Sequence, residues 1–425
     1  MHSSTIWSLQ AVRYRVLWLL ILLAVAGCGQ QNQATTAGTT QTTAVAAVLA
    51  TQSVATTVAT EPATVTVAST LTAIPATTTA ISATAPAGAT AGSTALASTV
   101  ATAAPAASPT ATQAAAATPG PGEFANPVID QDFADPGALK VGDTYYAYAT
   151  NFGSTNVQVA RSKDLVHWEM LNDALPILPA WASPNNTWAP EVMALADGKS
   201  YVMYFTARDT TSNKQCVGVA TGDKPEGPFK STQNKPFVCQ LDEGGTIDPS
   251  PFRDGNKQYL YFKNDGNCCN LTTYLYVQEL APDGLSLVGQ PTRLVSNDKP
   301  WEGSVVEAPE MVKHDDKYYL LFSANNYAGV DYAVGYASCK SPTGPCQDAP
   351  ENPILKSDLN DKPPVIGPGG ESMTTFGSET WMLYHAWEVT AAGLGDRRLM
   401  WIDRVTWEDG KPHVHGPTEG PQKMP

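Results

Sequence analysis

Five acidic residues stand at near-regular intervals in this 425-residue chain, four of them beside or close to a proline: Asp135-Pro136, Pro190-Glu191, Asp248-Pro249 and Glu307-Ala308-Pro309, with Glu371 as the fifth. Each precedes a short aromatic-rich run by ten to twelve residues. Two carboxyl groups can share general-acid and general-base work, one protonated and one ionised, if the fold brings them to one cavity. Like charges gathered without that purpose cost stability unless they titrate or are separated by ligand or water. A single Asp-Pro or Pro-Glu pair reads as an ordinary turn at a strand start; a phased set of five points to chemistry.

The elements that must position these residues repeat with them. An aromatic-x-x-aromatic pattern recurs as Tyr145 with Tyr148, Tyr201 with Tyr204, Tyr259 with Phe262, Tyr319 with Phe322 and Trp381 with Tyr384, at intervals of 56 to 62 residues. Turns such as Gly142-Asp143, Asp197-Gly198, Asp254-Gly255 and Asp315-Asp316 precede the aromatic runs. Each period holds four short strands, and helical periodicity is nearly absent, so the fold class is all-β, a five-bladed β-propeller. Equivalent blades would place the five acids at equivalent points on the innermost strands, facing one central funnel.

Three segments divide the chain. Residues 1–27 carry Arg13 and Arg15, an apolar run from Val16 to Ala26 and small residues before a cysteine. The run is far below the ~20 residues of a membrane-spanning helix, so it reads as an export signal. Residues 28–123 are nearly all Ala, Thr, Ser, Val, Pro and Gln, a composition that cannot bury a core and reads as a disordered stalk. Residues 124–425 hold almost all the charge: the chain has 26 Lys plus Arg against 40 Asp plus Glu, a net charge of −14. Such a surface repels nucleic acid and suits neutral ligands.

Of seven cysteines, Cys28 stands at the end of the signal and six lie in the folded part. An even number in an exported chain suggests disulfides, and six cysteines allow 15 pairings. Cys339 and Cys346 close a short Pro-Gly turn, and Cys216 and Cys239 bracket a hairpin. Cys268 and Cys269 either pair as neighbours or stay free. Neither paired C-x-x-C nor clustered histidines favour zinc, and no phosphate loop, Ser-His-Asp signature or zinc-protease helix is present.

Several motifs then fall into one order. Val25-Ala26-Gly27-Cys28 resembles the bacterial lipobox, which makes Cys28 the site of lipid attachment and the chain a lipoprotein held on the outside of the cell envelope. Asn126-Pro127-Val128, Asp132-Phe133-Ala134-Asp135-Pro136-Gly137, Ser162-Lys163-Asp164-Leu165-Val166-His167-Trp168, Trp188-Ala189-Pro190-Glu191-Val192, Ile247-Asp248-Pro249-Ser250 and Val306-Glu307-Ala308-Pro309 resemble glycoside hydrolase family 43. The resemblance implies a propeller that hydrolyses arabinofuranosides or xylosides with inversion. It assigns Asp135 as general base, Glu307 as general acid and Asp248 as the residue that raises the acid's pKa and helps hold the sugar. Inversion places the two working carboxyls roughly 6.5–9.5 Å apart with water between.

Further candidates for substrate contact are Phe133 and Trp188 as stacking surfaces, Glu191 and Glu371 as pocket carboxylates, His385, and one of Arg397 and Arg398, where relatives often place an arginine. Core packing competes as a reading for the aromatics, a salt bridge for Glu191 and a hydrogen-bonded core role for His385. Many relatives carry Gly-Pro-Gly-His in the last blade, where the histidine helps hold a central metal ion. Here the stretch is Gly367-Pro368-Gly369-Gly370-Glu371-Ser372, which counts against a bound calcium, and no cofactor or metal ligand is expected. The expected substrates are arabinan, arabinoxylan or xylo-oligosaccharides, and the expected state a monomer. The favoured activity is an exo-acting α-L-arabinofuranosidase or arabinanase, with a β-xylosidase or a non-catalytic carbohydrate-binding propeller as alternatives.

Overall fold

Residues three apart on an extended strand point to opposite faces of the sheet. The aromatic pairs exploit this in the computed structural model, which describes residues 118–360, 364–390 and 393–425. The pairs occupy the strands Thr144–Ala149, Tyr201–Asp209, Lys257–Asn264, Lys317–Ala324 and Glu379–Thr390, the second strand of each of five sheets. All ten rings are buried. One member of each pair packs toward one neighbouring sheet and the other toward the opposite neighbour: Tyr145 lies in a cluster with Trp381 and Ile402, whereas Tyr148 joins Tyr201 and Phe205. Five apolar clusters therefore fill the five seams between sheets.

The sheets are the blades of a propeller. Their innermost strands are Gly137–Val141, Ala182–Ala194, Thr246–Asp254, Val306–His314 and Ile366–Phe376. Each packs against the next, and the fifth returns to the first. Blades 1, 3, 4 and 5 run antiparallel through four strands from inside to outside, and blade 4 adds the short strand Leu355–Lys356 beside its third. Blade 2 has three, its outer edge reduced to single bridges at Val217–Val238 and Thr221–Lys230. Pro225, Pro228 and Pro236 remove N–H groups that a fourth ladder would need. The Cys216–Cys239 disulfide pins that edge, Cys339–Cys346 joins the outer strands of blade 4, and Cys268 and Cys269 are bonded to each other.

The ring is closed by the entering chain. Glu123–Phe124 pairs with Gln422–Lys423, and the Asn126 side chain accepts from Ile402 N–H and donates to the Ile402 and Thr418 carbonyls, tying the first segment to blade 5. Three short 3-10 turns, Leu241–Glu243, Gly266–Cys269 and Pro300–Glu302, are the helical elements among the described residues. The 1–27 signal, Cys28 and the stalk up to residue 117 lie outside the described residues. Because Phe262 is fully buried in the seam between blades 2 and 3, Phe262→Ala should destabilise the fold by about 3–5 kcal/mol in denaturant unfolding. Truncation of the half-exposed Phe152 should cost less than ~0.5 kcal/mol.

Candidate active site

At the axis each blade has a left-handed residue in its innermost strand or, in blade 1, just before it: Asp135 (φ 55°), Ala189 (φ 41°), Asp248 (φ 54°), Ala308 (φ 51°) and Gly370 (φ 59°). The first four immediately precede proline, and strand pairing slips at these points in blades 2 to 5. The kinks give the blades a common frame and correct one expectation. The five acids are not at equivalent positions: Asp135 and Asp248 are the kink residues, Glu307 stands one before its kink, Glu371 one after, and Glu191 two after. An inner strand that bends at the axis sends neighbouring side chains to different depths, so the acids form two tiers.

The upper tier, Asp135, Asp248 and Glu307, lines a cavity of about 580 Å³ with Trp188, Tyr327, Tyr332 and Arg398 among its walls. That size suits a small ligand. Asp135 accepts hydrogen bonds from Thr150 Oγ1 at 2.7 Å and Arg398 at 3.2 Å. Burial alone would raise its pKa, but Arg398, with His385 and Thr150, more than offsets that and holds the carboxyl well below its usual range. On the other side, Glu307 accepts from Lys263 Nζ at 3.0 Å and from the Tyr332 hydroxyl at 2.9 Å. Asp248 accepts from the Ala308 N–H at 2.9 Å. Burial and the adjacent Glu307 charge push Asp248 up to about 7. The pair of blades 3 and 4 thus takes up a proton near neutrality, whereas the carboxylate of blade 1 stays ionised.

The other expected contacts divide. Trp188 and Arg398 reach the cavity, Arg398 stacking over the Tyr327 ring at 5.2 Å. Arg397, its neighbour on the strand, faces the opposite side and pairs with Glu388 and Asp130; strand alternation decides between the two. Phe133 is a correction, fully buried among Ile129, Leu383 and Met400 and absent from the cavity wall. His385 is also buried; its Nδ1 accepts the Asp135 N–H at 3.2 Å, and burial, with Arg398, lowers its pKa. It orients the carboxylate from behind. Lys263 and Tyr332 were not singled out from the sequence. A lysine inside the otherwise apolar run Leu260-Tyr261-Phe262-Lys263 is a usable signal, because a buried ammonium needs a partner.

The family model for glycosyl hydrolases family 43 matches residues 124–412, from the entry to blade 1 into the last strand of blade 5. The chain belongs to this family. It is 33% identical over 283 residues to an extracellular endo-α-(1→5)-L-arabinanase of Thermotoga petrophila, covering 57% of this chain and 56% of that protein. A β-D-galactofuranosidase of Aspergillus niger is 30% identical over 301 residues, covering 67% and 82%. The crystal structure of a thermostable family-43 glycoside hydrolase aligns with a TM-score of 0.65 at 33% identity, covering 71% of this chain and 99% of that one. The chain therefore spans little more than half the length of the arabinanase it resembles.

Within the family frame, the position that holds a metal-binding histidine in many relatives is Gly370. A Cβ there would meet His385 Nδ1 at 2.7 Å and Asp135 Oδ1 at 2.8 Å, so a side chain does not fit, and these residues do not reproduce that calcium site. Groups of His, Asp and Glu close enough to share an ion, Glu408–His413–His415 and Asp298–Glu302–Asp348, lie apart from the residues lining the cavity.

Below the cavity the lower tier, Glu191 and Glu371, lines a narrow space beside Pro136 and Pro249. Glu310, two residues after its kink like Glu191, is held by Ser250 Oγ at 3.1 Å and Met373 N–H at 3.3 Å. Burial raises Glu191 well above its ordinary value, Glu310 to about 7 and Glu371 to about 8. Burial thus favours the protonated forms of these carboxyls, which is how the axis tolerates them. Between the ordinary 4.5 and about 8, folded Glu371 keeps a proton that the unfolded chain loses, so stability falls as pH rises through that window. Glu371→Gln, a mimic of the protonated form, should remove this loss. The expected result is little change in thermal unfolding at pH 5 and a gain on the order of 3 kcal/mol at pH 8.

Proposed function

We propose that the chain is an inverting, exo-acting glycoside hydrolase of plant cell-wall pentosans, an α-L-arabinofuranosidase or arabinanase. The observation that carries this reading is the meeting of Asp135, Asp248 and Glu307 from three blades on one cavity wall, with an ionised carboxylate on one side and a proton-holding pair on the other. In the proposed step a water donates its proton to Asp135 as its oxygen attacks the anomeric carbon. The leaving oxygen on the far side takes a proton from Glu307. Asp248 shares the proton of that pair and positions the sugar. Lys263 and Tyr332 fix the orientation of Glu307, and His385, Thr150 and Arg398 fix that of Asp135. No metal or cofactor takes part in this scheme, and a monomer suffices for it.

The arabinanase relative favours arabinosides, and the galactofuranosidase relative shares their furanose ring. Hydrolysis of a panel of aryl α-L-arabinofuranoside, β-D-xyloside and β-D-galactofuranoside should show release from the arabinofuranoside, with the anomeric configuration of the product inverted by NMR. Asp135→Ala and Glu307→Ala should each lower turnover of arabino-oligosaccharides by at least ~100-fold with the fold intact. With Asp135 held low and Asp248 at about 7, kcat/KM should stay level on the acid side and decline above about pH 7. Near-normal turnover in either variant would remove the catalytic assignment, and release of xylose alone would move the enzyme to the xylosidase reading.

We also propose that Cys28 carries lipid and that the 28–123 stalk holds the propeller away from the envelope toward bulky polymer. Several acyl chains anchor far better than one, since each buried methylene adds roughly 0.8 kcal/mol. Cys28→Ala should shift the protein from the membrane fraction to the medium in a bacterial host. Its retention in membranes would reject the anchor.

A further inference from the structure

Buried polar side chains ordinarily find hydrogen-bond partners inside the protein. Part of the cavity wall breaks that rule. It comes from the hairpin between the second and third strands of blade 2, which supplies Arg208, Lys214 and Gln215, and from the turn Gly266–Cys269 of blade 3, which supplies Asn267 and Cys268. Gln215 is 3% exposed, yet neither atom of its side-chain amide has a partner. Arg208 is its register partner across the hairpin, so the two side chains stand on the same face. The Arg208 Nε is buried and unpartnered, and the guanidinium makes no ion pair among the described residues. The Lys214 ammonium approaches Cys269 Sγ at 3.0 Å and Cys268 Sγ at 3.7 Å, with no carboxylate in ion-pair range. Asp265 on the same wall feels both cations, so two positive charges are set there against one acid.

The contrast with the rest of the site is informative. Arg398 is paired with Asp135 and Lys263 with Glu307, so the cations near the reacting groups are already engaged. Arg208 and Lys214 are not, in a chain of net charge −14. A guanidinium, an ammonium and an amide together present mainly donors, and the complement of a donor-rich, positively charged wall is an anion with several lone pairs. A neutral pentose offers hydroxyls, which are as much donor as acceptor, whereas a sugar carboxylate matches both charge and count. The Cys268–Cys269 disulfide adds a less polar surface beside them, suited to the C–H face of a ring.

We propose that this part of the cavity is a second sugar site that takes a hexuronic acid residue adjoining the pentoside to be cleaved, with Arg208 and Lys214 on its carboxylate and Gln215 on its ring hydroxyls. The proposal deepens the hydrolase reading by naming the substrate class of the same cavity, an acidic rather than a neutral pentosan. It is tested with two oligosaccharides of equal length, one neutral and one carrying a hexuronic acid next to the cleaved linkage. The acidic substrate should show a kcat/KM roughly tenfold higher, the worth of one charge-assisted hydrogen bond. Arg208→Gln and Lys214→Gln should each remove most of that preference. A ratio near one in the unaltered protein, or variants that slow both substrates equally, would overturn the site. Should Arg208→Gln not fold, Lys214→Gln carries the comparison, since its ammonium contacts only sulfur. Binding of trigalacturonic acid and arabinotriose to Glu307→Gln by calorimetry separates this proposal from the hydrolase reading. Tighter binding of the acidic trisaccharide with no cleavage of either oligosaccharide by the unaltered protein would keep the site and reject the hydrolase; cleavage of the neutral substrate with no preference for the acid would do the reverse.

Discussion

A backbone N–H that bends toward the axis of a propeller loses its ladder partner and must find another, and the preceding blade provides it in every case here. The kink N–H of Asp135 donates to His385, that of Ala189 to Thr150, that of Asp248 to Thr206, that of Ala308 to Asp248 and that of Gly370 to Ser323. These bonds run once around the ring. They satisfy donors that would each cost ~1–3 kcal/mol if left buried and unpaired, and they lock each inner strand to the blade before it. The carboxyls on those strands are therefore placed by a closed circuit of hydrogen bonds, not by loops.

One change of acceptor in the circuit coincides with the proposed chemistry. Thr206, Ser323 and His385 sit on second strands opposite the residue just before a kink, and Lys263 occupies the same position in blade 3. The first three accept the N–H of the next blade. A lysine ammonium cannot accept, so the N–H of Ala308 turns to Asp248, and Lys263 is free to hold Glu307. A single change of residue type within a repeated frame thus converts a structural position into one that ties Asp248 to the strand carrying Glu307. The same logic separates the two sides of the cavity: an arginine and a threonine hydroxyl stabilise a lone carboxylate in blade 1, while in blades 3 and 4 two carboxyls compete for one lysine and keep a proton between them.

The five-fold plan could be read directly from the chain because aromatic residues three apart are forced to opposite faces of a strand, and so mark both seams of every blade. The presence of acids at the axis was equally visible, as was the likeness to a known family. Their depth was not. Whether an acid stands before, at or after a kink depends on backbone conformation at Ala189, Ala308 and Gly370, and neither an alanine before a proline nor one glycine in a glycine-rich stretch announces a left-handed turn. Glu191 and Glu371 looked like partners of Asp135 from their spacing and instead belong with Glu310, which spacing did not mark. Phe133 and Trp188 were indistinguishable as aromatics near an acid; the structure sends the first, in the irregular entry to blade 1, to the core and the second, on an inner strand, to the cavity. Arg397 and Arg398 show the same limit in its simplest form.

The two parts of the cavity wall are built by different means. Inner strands around the axis supply Asp135, Asp248 and Glu307, and every one of those side chains has its hydrogen bonds within the protein. The hairpin of blade 2 and the turn of blade 3 supply Arg208, Gln215 and Lys214, whose bonds are incomplete. Groups already satisfied are held in one orientation and lose little freedom when substrate arrives, which suits proton transfer over a fixed distance. Groups left unsatisfied gain most from a ligand that completes them, which suits discrimination between substrates, because a ligand without the matching atoms leaves the deficit in place. On the proposed reading, the propeller axis fixes the reaction, and the peripheral hairpin sets which polymer is admitted to it.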